Sequence, residues 1–585
     1  MDAHPQLQSG ARRHPGAAAA ALAMLVAAAC SGALATPSVP VARPAPRALP
    51  TSNGHVVRND RTAQPLHEQV LLLLRSDDSV VPARPPVHPL HTIYNREAIV
   101  PPMCYTRTEG QHNPCYVCHQ DEVVGRPNTM NDGELQRAYS FSELGTRNRW
   151  HNLFEDRSAR AAAISDDEIL AWVEQDNYSE LAPRLRKAGF KGYVPDLAKL
   201  HLAAEAFDEE GFARDGSHWV AFNYKPVPST FWPTNGATDD VMIRLPEPYR
   251  TTTGGHYSRD IYKANLALLE ANIKGLSSIT VRAVDERAIG EDLNGDGELG
   301  VIDRITRVGR YVGAARDHLS LAHLYPLDTE FLHSVRYLGL DAQGGVHVPR
   351  RMKELRYMRK RFMLTLPQLH EAYLQEAYAK DDGQLPGYVD RGQHGLDNEM
   401  GWVITGFIEN RAGRLRWNSF EENLFCMGCH TSIGSTIDNV FSFARKVDGA
   451  AGWGYIDLRG MPDAPNVGEQ RGEIATYLER AGGGGEFRSN PEMQARFFTD
   501  GALDPAKLAM ARDVYDLIAP SRERAMLLNK AYRLIVEDQD YIHGRDATVV
   551  APVNVYDAID NEQTPTLPGE RTHRWDIRLD WSAAR

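Results

Sequence analysis

Two short segments of the chain repeat the pattern C-x-x-C-H. Its residues are Cys115, Cys118 and His119 in the first copy, and Cys426, Cys429 and His430 in the second. Two thiols separated by two residues can reach the two vinyl groups of one porphyrin and form thioether bonds, and the next histidine then lies beneath the iron. The repeated pattern therefore predicts two covalently attached haems, with His119 and His430 as iron ligands.

Other uses of these cysteines fit only part of the pattern. A redox-active dithiol explains one C-x-x-C but not the histidine that follows both copies. A structural zinc site built from four cysteines normally uses pairs that lie closer in sequence than roughly 300 residues. A disulfide within C-x-x-C would be strained in a large exported protein. Haem attachment is the favoured interpretation, with zinc or a redox dithiol as the alternatives.

Around these two motifs, the chain resembles the c-type cytochromes. The resemblance is confined to the surroundings of the motifs, and no named family is matched across the whole chain. It implies two haem c groups in an exported protein with a redox function. The sequence surroundings typical of bacterial dihaem peroxidases are absent.

Met461 is the residue predicted to bind the second iron opposite His430. It lies in a Gly-Met-Pro loop and precedes a short helical pattern with Ile474, Tyr477 and Leu478 on one face. This arrangement resembles the end of a small monohaem cytochrome, where such a loop supplies the distal sulfur. The alternative is that Met461 packs in an ordinary loop.

The distal ligand of the first haem is predicted less directly. His151 is favoured over Met130, because Met130 lies so soon after His119 that crossing the ring would be difficult. His112, just ahead of the motif, is a further candidate, and a lone histidine is more often structural. Downstream, Ser165 and Glu168 form a capping-box pattern that predicts a helix start.

Several histidines of the middle region could also reach a haem in three dimensions. These are His318, His323, His333, His370 and His394. His333 lies in an apolar run and is interpreted as a hydrogen-bonded core histidine.

Residues 292–303 resemble a calcium-binding loop. Oxygen ligands occupy positions one, three, five and twelve, glycine occupies position six, and position seven offers its backbone carbonyl. The candidate ligands are Asp292, Asn294, Asp296, Glu298 and Asp303. The preceding residues alternate like a strand, so the segment is interpreted as an EF-hand-like loop that braces the region between the haems. An acidic turn without a metal is the alternative.

The N-terminus indicates export. Arg12 and Arg13 precede the apolar run 17–29, which is too short for a comfortable membrane span and is typical of a signal peptide. Cleavage after the A-x-A sequence at 33–35 would release a soluble protein, whereas lipidation of Cys30 would tether it. The Pro/Ala-rich spacer that follows favours the tether. The location expected is the periplasm, with outer-membrane lipoprotein as an option.

The amino-acid composition argues against several classes of protein. The chain has 585 residues, 42% hydrophobic and 24% charged, with a formal net charge of -12. This balance is that of a soluble globular protein, and no basic stripe typical of a nucleic-acid binder is present.

The predicted fold class is mainly α haem domains with an α+β insert, in a multidomain chain. The expected segments are a signal peptide (1–35), a spacer (36–90), a first haem domain (91–200), an α+β insert (201–410), a second haem domain (411–485) and a helical extension (486–585).

Two functions follow from these predictions. The first is an electron-transfer protein with two haems and an extracytoplasmic redox partner protein. The second is a dihaem oxidoreductase, peroxidase- or oxygenase-like, in which one haem has an open face for a small-molecule oxidant or substrate. The length of chain between the haem segments favours the second, and the Met-Pro loop favours the first.

Overall fold

A computed structural model describes residues 71, 73–82, 98–107, 115–127, 130–139, 141–143, 145–228, 231–382, 384, 387–483 and 490–584. The predicted signal peptide, Cys30, His112 and most of the spacer lie outside these residues. Contacts within residues 57–585 group that part of the chain into one compact unit. The segment boundaries drawn from the sequence stay predictions.

The strands of the described residues are concentrated in the middle of the chain. They are β1 (Val220–Ala221), β2 (Thr238–Arg244), β3 (Ile279–Asp285), β4 (Val301–Ile305), β5 (Glu330–Arg336), β6 (Gly339–Leu340), β7 (Val346–His347), β8 (Met352–Lys360), β9 (Val389–Asp390), β10 (Leu396–Asp397), β11 (Trp402–Glu409), β12 (Leu415–Trp417), β13 (Phe498–Thr499) and β14 (Ala502–Leu503). Eight of them form an antiparallel sheet in the order β1-β2-β5-β8-β11-β10-β9, and β12 also pairs with β11. The pairs β3-β4, β6-β7 and β13-β14 form separate hairpins.

The two faces of the eight-stranded sheet meet different apolar clusters. Along β5, Phe331 packs on one face and Leu332 on the other, because successive side chains of a strand point in opposite directions. The first face belongs to the cluster that also contains Tyr116 and Cys426, so both C-x-x-C-H segments pack on it. The second face is covered by residues 178–219, including the fully buried Trp219.

Helices surround the sheet. They are α1 (Glu134–Ala138), α2 (Ser158–Ala163), α3 (Asp166–Val173), α4 (Leu181–Lys187), α5 (Ala203–Ala206), α6 (Arg259–Lys274), α7 (Glu286–Ile289), α8 (Leu366–Asp381), α9 (Phe420–Met427), α10 (Ser442–Arg445), α11 (Glu473–Arg480), α12 (Pro491–Phe497), α13 (Pro505–Leu508), α14 (Val514–Ile518) and α15 (Arg522–Asp538). In the described part of the chain, none of them combines the length and the apolar composition needed to cross a bilayer.

The helix start predicted at Ser165 is confirmed. The Ser165 hydroxyl accepts a hydrogen bond from the Glu168 N–H and caps α3. Asp504 caps α13 in the same way, with Pro505 at its first position. Helix α3 packs against α15 in an apolar cluster that contains neither C-x-x-C-H segment.

The predicted fold class, mainly α haem domains with an α+β insert, is wrong. The residues expected to be an insert contain most of the eight-stranded antiparallel sheet, which is the framework on which the C-x-x-C-H segments pack. The physical reason is long-range pairing. Strand β2 pairs with β5 across more than eighty intervening residues, with Val241 opposite His333, and no local pattern encodes that contact.

Candidate functional site

The fold brings the loop that follows the second C-x-x-C-H segment into contact with the first segment and the residues after it. The backbone N–H of Ser435 donates a 3.1 Å hydrogen bond to the carbonyl of Cys118. The N–H of Gly434 donates to Oδ1 of Asp132 at 3.1 Å, and the same oxygen accepts from the Gln120 N–H at 2.9 Å. Segments that are far apart in sequence therefore share one hydrogen-bonded framework.

The first histidine is oriented by a buried carboxylate. A 3-10 helix, Cys115–Val117, turns the backbone so that the N–H of His119 donates to the carbonyl of Cys115 at 2.8 Å. The Nδ1 atom of His119 lies 2.7 Å from Oδ2 of Asp132. An imidazole whose Nδ1 is held by a carboxylate keeps Nε2 for a metal, as metal-ligating histidines usually do.

The second histidine is oriented by a backbone carbonyl. Cys426 lies near the end of α9, and the His430 N–H donates to its carbonyl at 3.3 Å. The Nδ1 atom of His430 lies 2.9 Å from the carbonyl oxygen of Asn439. Burial lowers the pKa of His430 to about 4, so the imidazole is neutral at pH 7. A neutral imidazole with Nδ1–H donating presents the lone pair of Nε2.

The loop that supplies this carbonyl is held in an uncommon backbone conformation. Asp438 and Asn439 have φ of 50° and 61°, which is the left-handed region that costs energy for residues other than glycine. Lys360 holds the Asp438 carboxylate through bonds of 2.6 and 2.8 Å, and Trp402 donates to the Asp438 carbonyl at 2.9 Å. The surrounding structure thus fixes the oxygen that orients His430.

A large cavity lies between α9 and the first face of the sheet. The space between these elements amounts to about 1620 Å³ when the mouth, which is open to solvent, is included. Cys118, Cys426, Cys429 and His430 line it. Most of its other lining is apolar, including Met103, Val241, Phe331, Val335, Met358, Ile404, Phe425 and Phe441.

One wall of the cavity carries an excess of positive charge. Glu354 lies 2.9 Å from Nε of Arg356 and 3.1 Å from Nη1 of Arg545, so two guanidinium groups share one carboxylate. Burial alone would raise the pKa of Glu354, but the two arginines lower it to about 2. A buried group with one surplus positive charge is stabilised by an anion beside it.

A second histidine, His333, lines the cavity from the sheet. Its Nε2 atom lies 3.0 Å from Oδ2 of Asp239, and the Tyr224 hydroxyl also donates to that oxygen. The Phe231 ring packs edge-on against the imidazole, with centroids 4.8 Å apart. Burial and the nearby Arg356 lower the pKa of His333 to about 3. His333 is therefore hydrogen-bonded, as the sequence suggested, but it also faces the cavity.

The donor set of the cavity fits a haem. No disulfide joins two of the described cysteines. No group of three or more His, Cys, Asp or Glu side chains in the described residues is arranged to hold a single metal ion. A large apolar cavity with two thiols and a following imidazole suits a porphyrin, and the surplus charge of Arg356 and Arg545 suits a propionate.

The predicted distal ligands lie elsewhere. Met461 is buried in the large apolar cluster and does not line the cavity; its carbonyl accepts a 2.8 Å bond from the Val514 N–H. His151 stacks on His543 with centroids 5.1 Å apart, and Met130 packs in a separate small cluster. Their roles as iron ligands stay predictions.

The 292–303 segment forms the loop between α7 and β4. The Asp292 carboxylate accepts hydrogen bonds from the N–H groups of Gly295 and Gly297, at 2.6 and 3.1 Å, and lies 3.2 Å from Arg307. Asp303, the twelfth position, lies within β4 rather than in a following helix. The loop has the turn that the glycines predicted, and calcium binding stays a prediction.

Sequence reasoning missed the sheet residues of the cavity. Arg356 and His333 come from neighbouring strands and lie opposite each other in register. Phe331, His333 and Val335 alternate in the sequence, which predicts that they share one face of a strand. Whether that face of the sheet lies against the cysteines depends on long-range strand pairing, which the sequence pattern does not show.

These features define a sheet-built protein with a solvent-open cavity that is lined by thiols and imidazoles. A family model for lipoproteins matches residues 87–507. An uncharacterized lipoprotein of Aquifex aeolicus (strain VF5) is 32% identical over 520 residues, which cover 77% of this chain and 86% of that protein. No solved structure shows a significant match. The chain belongs to this family of lipoproteins.

This membership corrects one prediction and supports another. The assignment to the c-type cytochromes is wrong, because it rested on two five-residue motifs whereas the family match spans residues 87–507. The lipoprotein interpretation is supported, and it makes the chain an extracytoplasmic, membrane-anchored protein.

Proposed function

We propose that this lipoprotein holds two haems covalently, one at each C-x-x-C-H segment, and transfers electrons to or from an extracytoplasmic redox partner protein. The observation that carries the proposal is the arrangement at His430. Its Nδ1 is fixed by the Asn439 carbonyl, and Cys426 and Cys429 line the same large apolar cavity. Covalent haem attachment at such a motif does not require one particular fold, because the same kind of functional site occurs on many unrelated folds.

The residues of the chain would hold the group in three ways. Cys426 and Cys429 bind it through thioether bonds, His430 binds the metal through Nε2, and Arg356 with Arg545 neutralises a propionate. When bound, iron porphyrin supplies a one-electron redox centre. The apolar lining excludes water from most of the cavity, which keeps the electrostatic contacts of the charged groups strong.

Contact between the two motif segments favours electron transfer. Cys118 accepts the hydrogen bond of Ser435, and Cys118 also lines the cavity that holds the second motif. Two redox centres attached to these segments are neighbours within one folded unit. An electron that enters at one centre therefore has a short route to the other.

The N-terminus supplies the finer location in this proposal. Cys30 is the lipidated residue, and the Pro/Ala-rich spacer holds the folded part away from the membrane. The compartment is the periplasm, with the anchor in the outer membrane as one form of it. The 292–303 loop is the candidate for one calcium ion, with Asp292, Asn294, Asp296 and Asp303 as side-chain ligands and the Glu298 carbonyl as backbone ligand; the described structure does not already group three of these carboxylates around one point.

The test is to produce the full chain in a bacterial host that attaches haem to exported proteins. Denatured protein that has been washed with acid acetone should retain two haems per chain in a pyridine haemochrome assay. The double variants Cys115→Ser/Cys118→Ser and Cys426→Ser/Cys429→Ser should each retain one. Cys104→Ser, the matched control outside the motifs, should retain two. Colourless denatured wild-type protein would remove the proposal.

A second candidate function is a dihaem oxidoreductase with one open-face haem. The open mouth of the cavity favours it, since a small oxidant or substrate could enter. Carbon monoxide separates the two functions. If both reduced centres of the wild-type protein leave carbon monoxide unbound, the oxidoreductase is excluded; binding of one equivalent favours it.

A further inference from the structure

His333 occupies the centre of the sheet wall that faces the second C-x-x-C-H segment. Phe331, His333 and Val335 alternate along β5 and all line the cavity. The cross-strand neighbours of His333 are Val241 on β2 and Arg356 on β8, and both line the cavity too. The imidazole is thus fixed in a row of cavity-lining side chains on three adjacent strands.

The hydrogen bonding of His333 follows the pattern seen at the two motif histidines. One ring nitrogen of each is held: His119 by Asp132 at 2.7 Å, His430 by Asn439 at 2.9 Å, and His333 by Asp239 at 3.0 Å. In metal-binding histidines the second ring nitrogen almost always makes such a bond, which fixes the tautomer and the ring orientation.

The other ring nitrogen of His333 faces the cavity without a partner. Among the described residues, none forms a hydrogen bond with its Nδ1. The His333 side chain is 20% exposed, and its place in the cavity lining leaves the ring accessible to a bound group. A metal in the cavity would satisfy this nitrogen, with Nε2–H donating to Asp239.

His430 is the other imidazole in this cavity. The two imidazoles line the same cavity, one on the sheet and one on the loop after α9.

We propose that His333 is the second axial ligand of the iron bound by His430. This inference rests on the proposed haem attachment and deepens it. It replaces Met461 as the partner of His430, since Met461 does not line the cavity. A haem held by both imidazoles would supply one-electron transfer and would leave no position on its iron for a small molecule.

The test uses the full chain carrying Cys115→Ser/Cys118→Ser, so that its single haem lies at the second site. The oxidised protein should show a low-spin spectrum, and the reduced protein should bind no carbon monoxide. Adding His333→Ala should give a high-spin spectrum and one equivalent of bound carbon monoxide. Free imidazole should restore the low-spin spectrum, and an unchanged far-UV circular dichroism spectrum of the variant shows that it is folded.

Matched variants identify the ligand. His347→Ala removes a histidine that also pairs with a carboxylate, Glu174 at 3.0 Å, but lies on β7 away from the cavity, and it should leave the spectrum unchanged. If His333→Ala retains the low-spin spectrum, the inference is overturned. If His333→Ala leaves the spectrum unchanged and one of the variants Met103→Leu, Met358→Leu or Met461→Leu gives a high-spin spectrum, the ligand is that methionine.

Failure of the inference and failure of the proposed function give different results. Absence of haem from the wild-type chain overturns both. Haem present with an unchanged His333→Ala spectrum overturns the assignment of His333 alone.

Discussion

The Oδ1 atom of Asp132 accepts a 3.1 Å hydrogen bond from the backbone N–H of Gly434, although 302 residues separate them. The other oxygen of the same carboxylate holds Nδ1 of His119 at 2.7 Å. One buried side chain therefore orients the first histidine and ties it to the loop after the second.

Replacing the Asp132 carboxylate should lower the stability of the protein and disturb the orientation of His119. Asp132→Asn leaves one acceptor oxygen for three donors, so we expect a loss of about 1–3 kcal/mol in the free energy of unfolding. Urea unfolding measures it. The exposed Asp317→Asn is the control and should change stability by less than about 0.5 kcal/mol. Equal midpoints for the two variants would contradict the bridging role of Asp132.

The Glu354 carboxylate should make stability dependent on acid. Because its pKa is lowered to about 2 from an ordinary 4.5, its contribution is complete above pH 4.5 and is lost as pH falls towards 2. That shift corresponds to about 3 kcal/mol. Glu354→Gln should remove this part of the pH dependence, measured by urea unfolding between pH 7 and pH 3.

The stability of Glu354→Gln should also depend on whether haem is attached at the second motif. Without Glu354, the charges of Arg356 and Arg545 have no carboxylate between them, and a propionate would offset part of the loss. The destabilisation should therefore be larger in the Cys426→Ser/Cys429→Ser chain. Glu174→Gln, a half-exposed control, should show neither effect. A pH profile of Glu354→Gln identical to that of the wild type would refute the electrostatic account.

Gly428, between the cysteines of the second motif, should tolerate no side chain. A Cβ there would lie 1.9 Å from the carbonyl oxygen of Ile99, which is backbone and cannot rotate away. Gly428→Ala should lower the free energy of unfolding by about 1–3 kcal/mol, detectable as a lower Tm. Gly309→Ala has open space around its Cβ and is the control. An unchanged Tm for Gly428→Ala would show that the loop carrying Ile99 can move.

Calcium should bind the 292–303 loop with one ion per chain. Titration calorimetry should give one site with a dissociation constant of roughly 10⁻⁴–10⁻³ M, the range of extracellular modules. A chelator should lower the Tm of the wild type but not that of Asp292→Ala. Asp341→Ala, in a different exposed turn, should keep the site. If calcium gives no heat of binding with the wild type, the 292–303 loop is an acidic turn that binds no metal.

Local structure followed from the sequence, and the global fold did not. The cap of α3 at Ser165, the strand β3 and the helix α15 each have a signal within a few residues. The sheet depends on pairs such as Val241 with His333, whose partners come from separate stretches of chain. The resemblance to cytochromes was therefore extended from two motifs to whole domains that the chain does not have.

Some residues of the candidate site could likewise be predicted from the sequence, and others could not. The C-x-x-C-H residues were identifiable because a covalent motif is local. The Asp132 and Asn439 oxygens that orient the histidines follow each motif closely but have no distinctive pattern around them. His333 and Arg356 reach the cavity through strand register, so sequence distance from the motif gave no guide to a distal ligand such as Met461.

The end of the chain also reaches the first motif. The amide of Gln136 donates to the carbonyls of His119 and His573, at 2.6 and 3.0 Å, and the His573 N–H donates back to Gln136 at 2.8 Å. A chain emerging during translocation therefore has its first C-x-x-C-H sequence long before it has these hydrogen bonds. If haem is attached as proposed, the thiols of that segment stay accessible until His573 has been exported and has paired with Gln136.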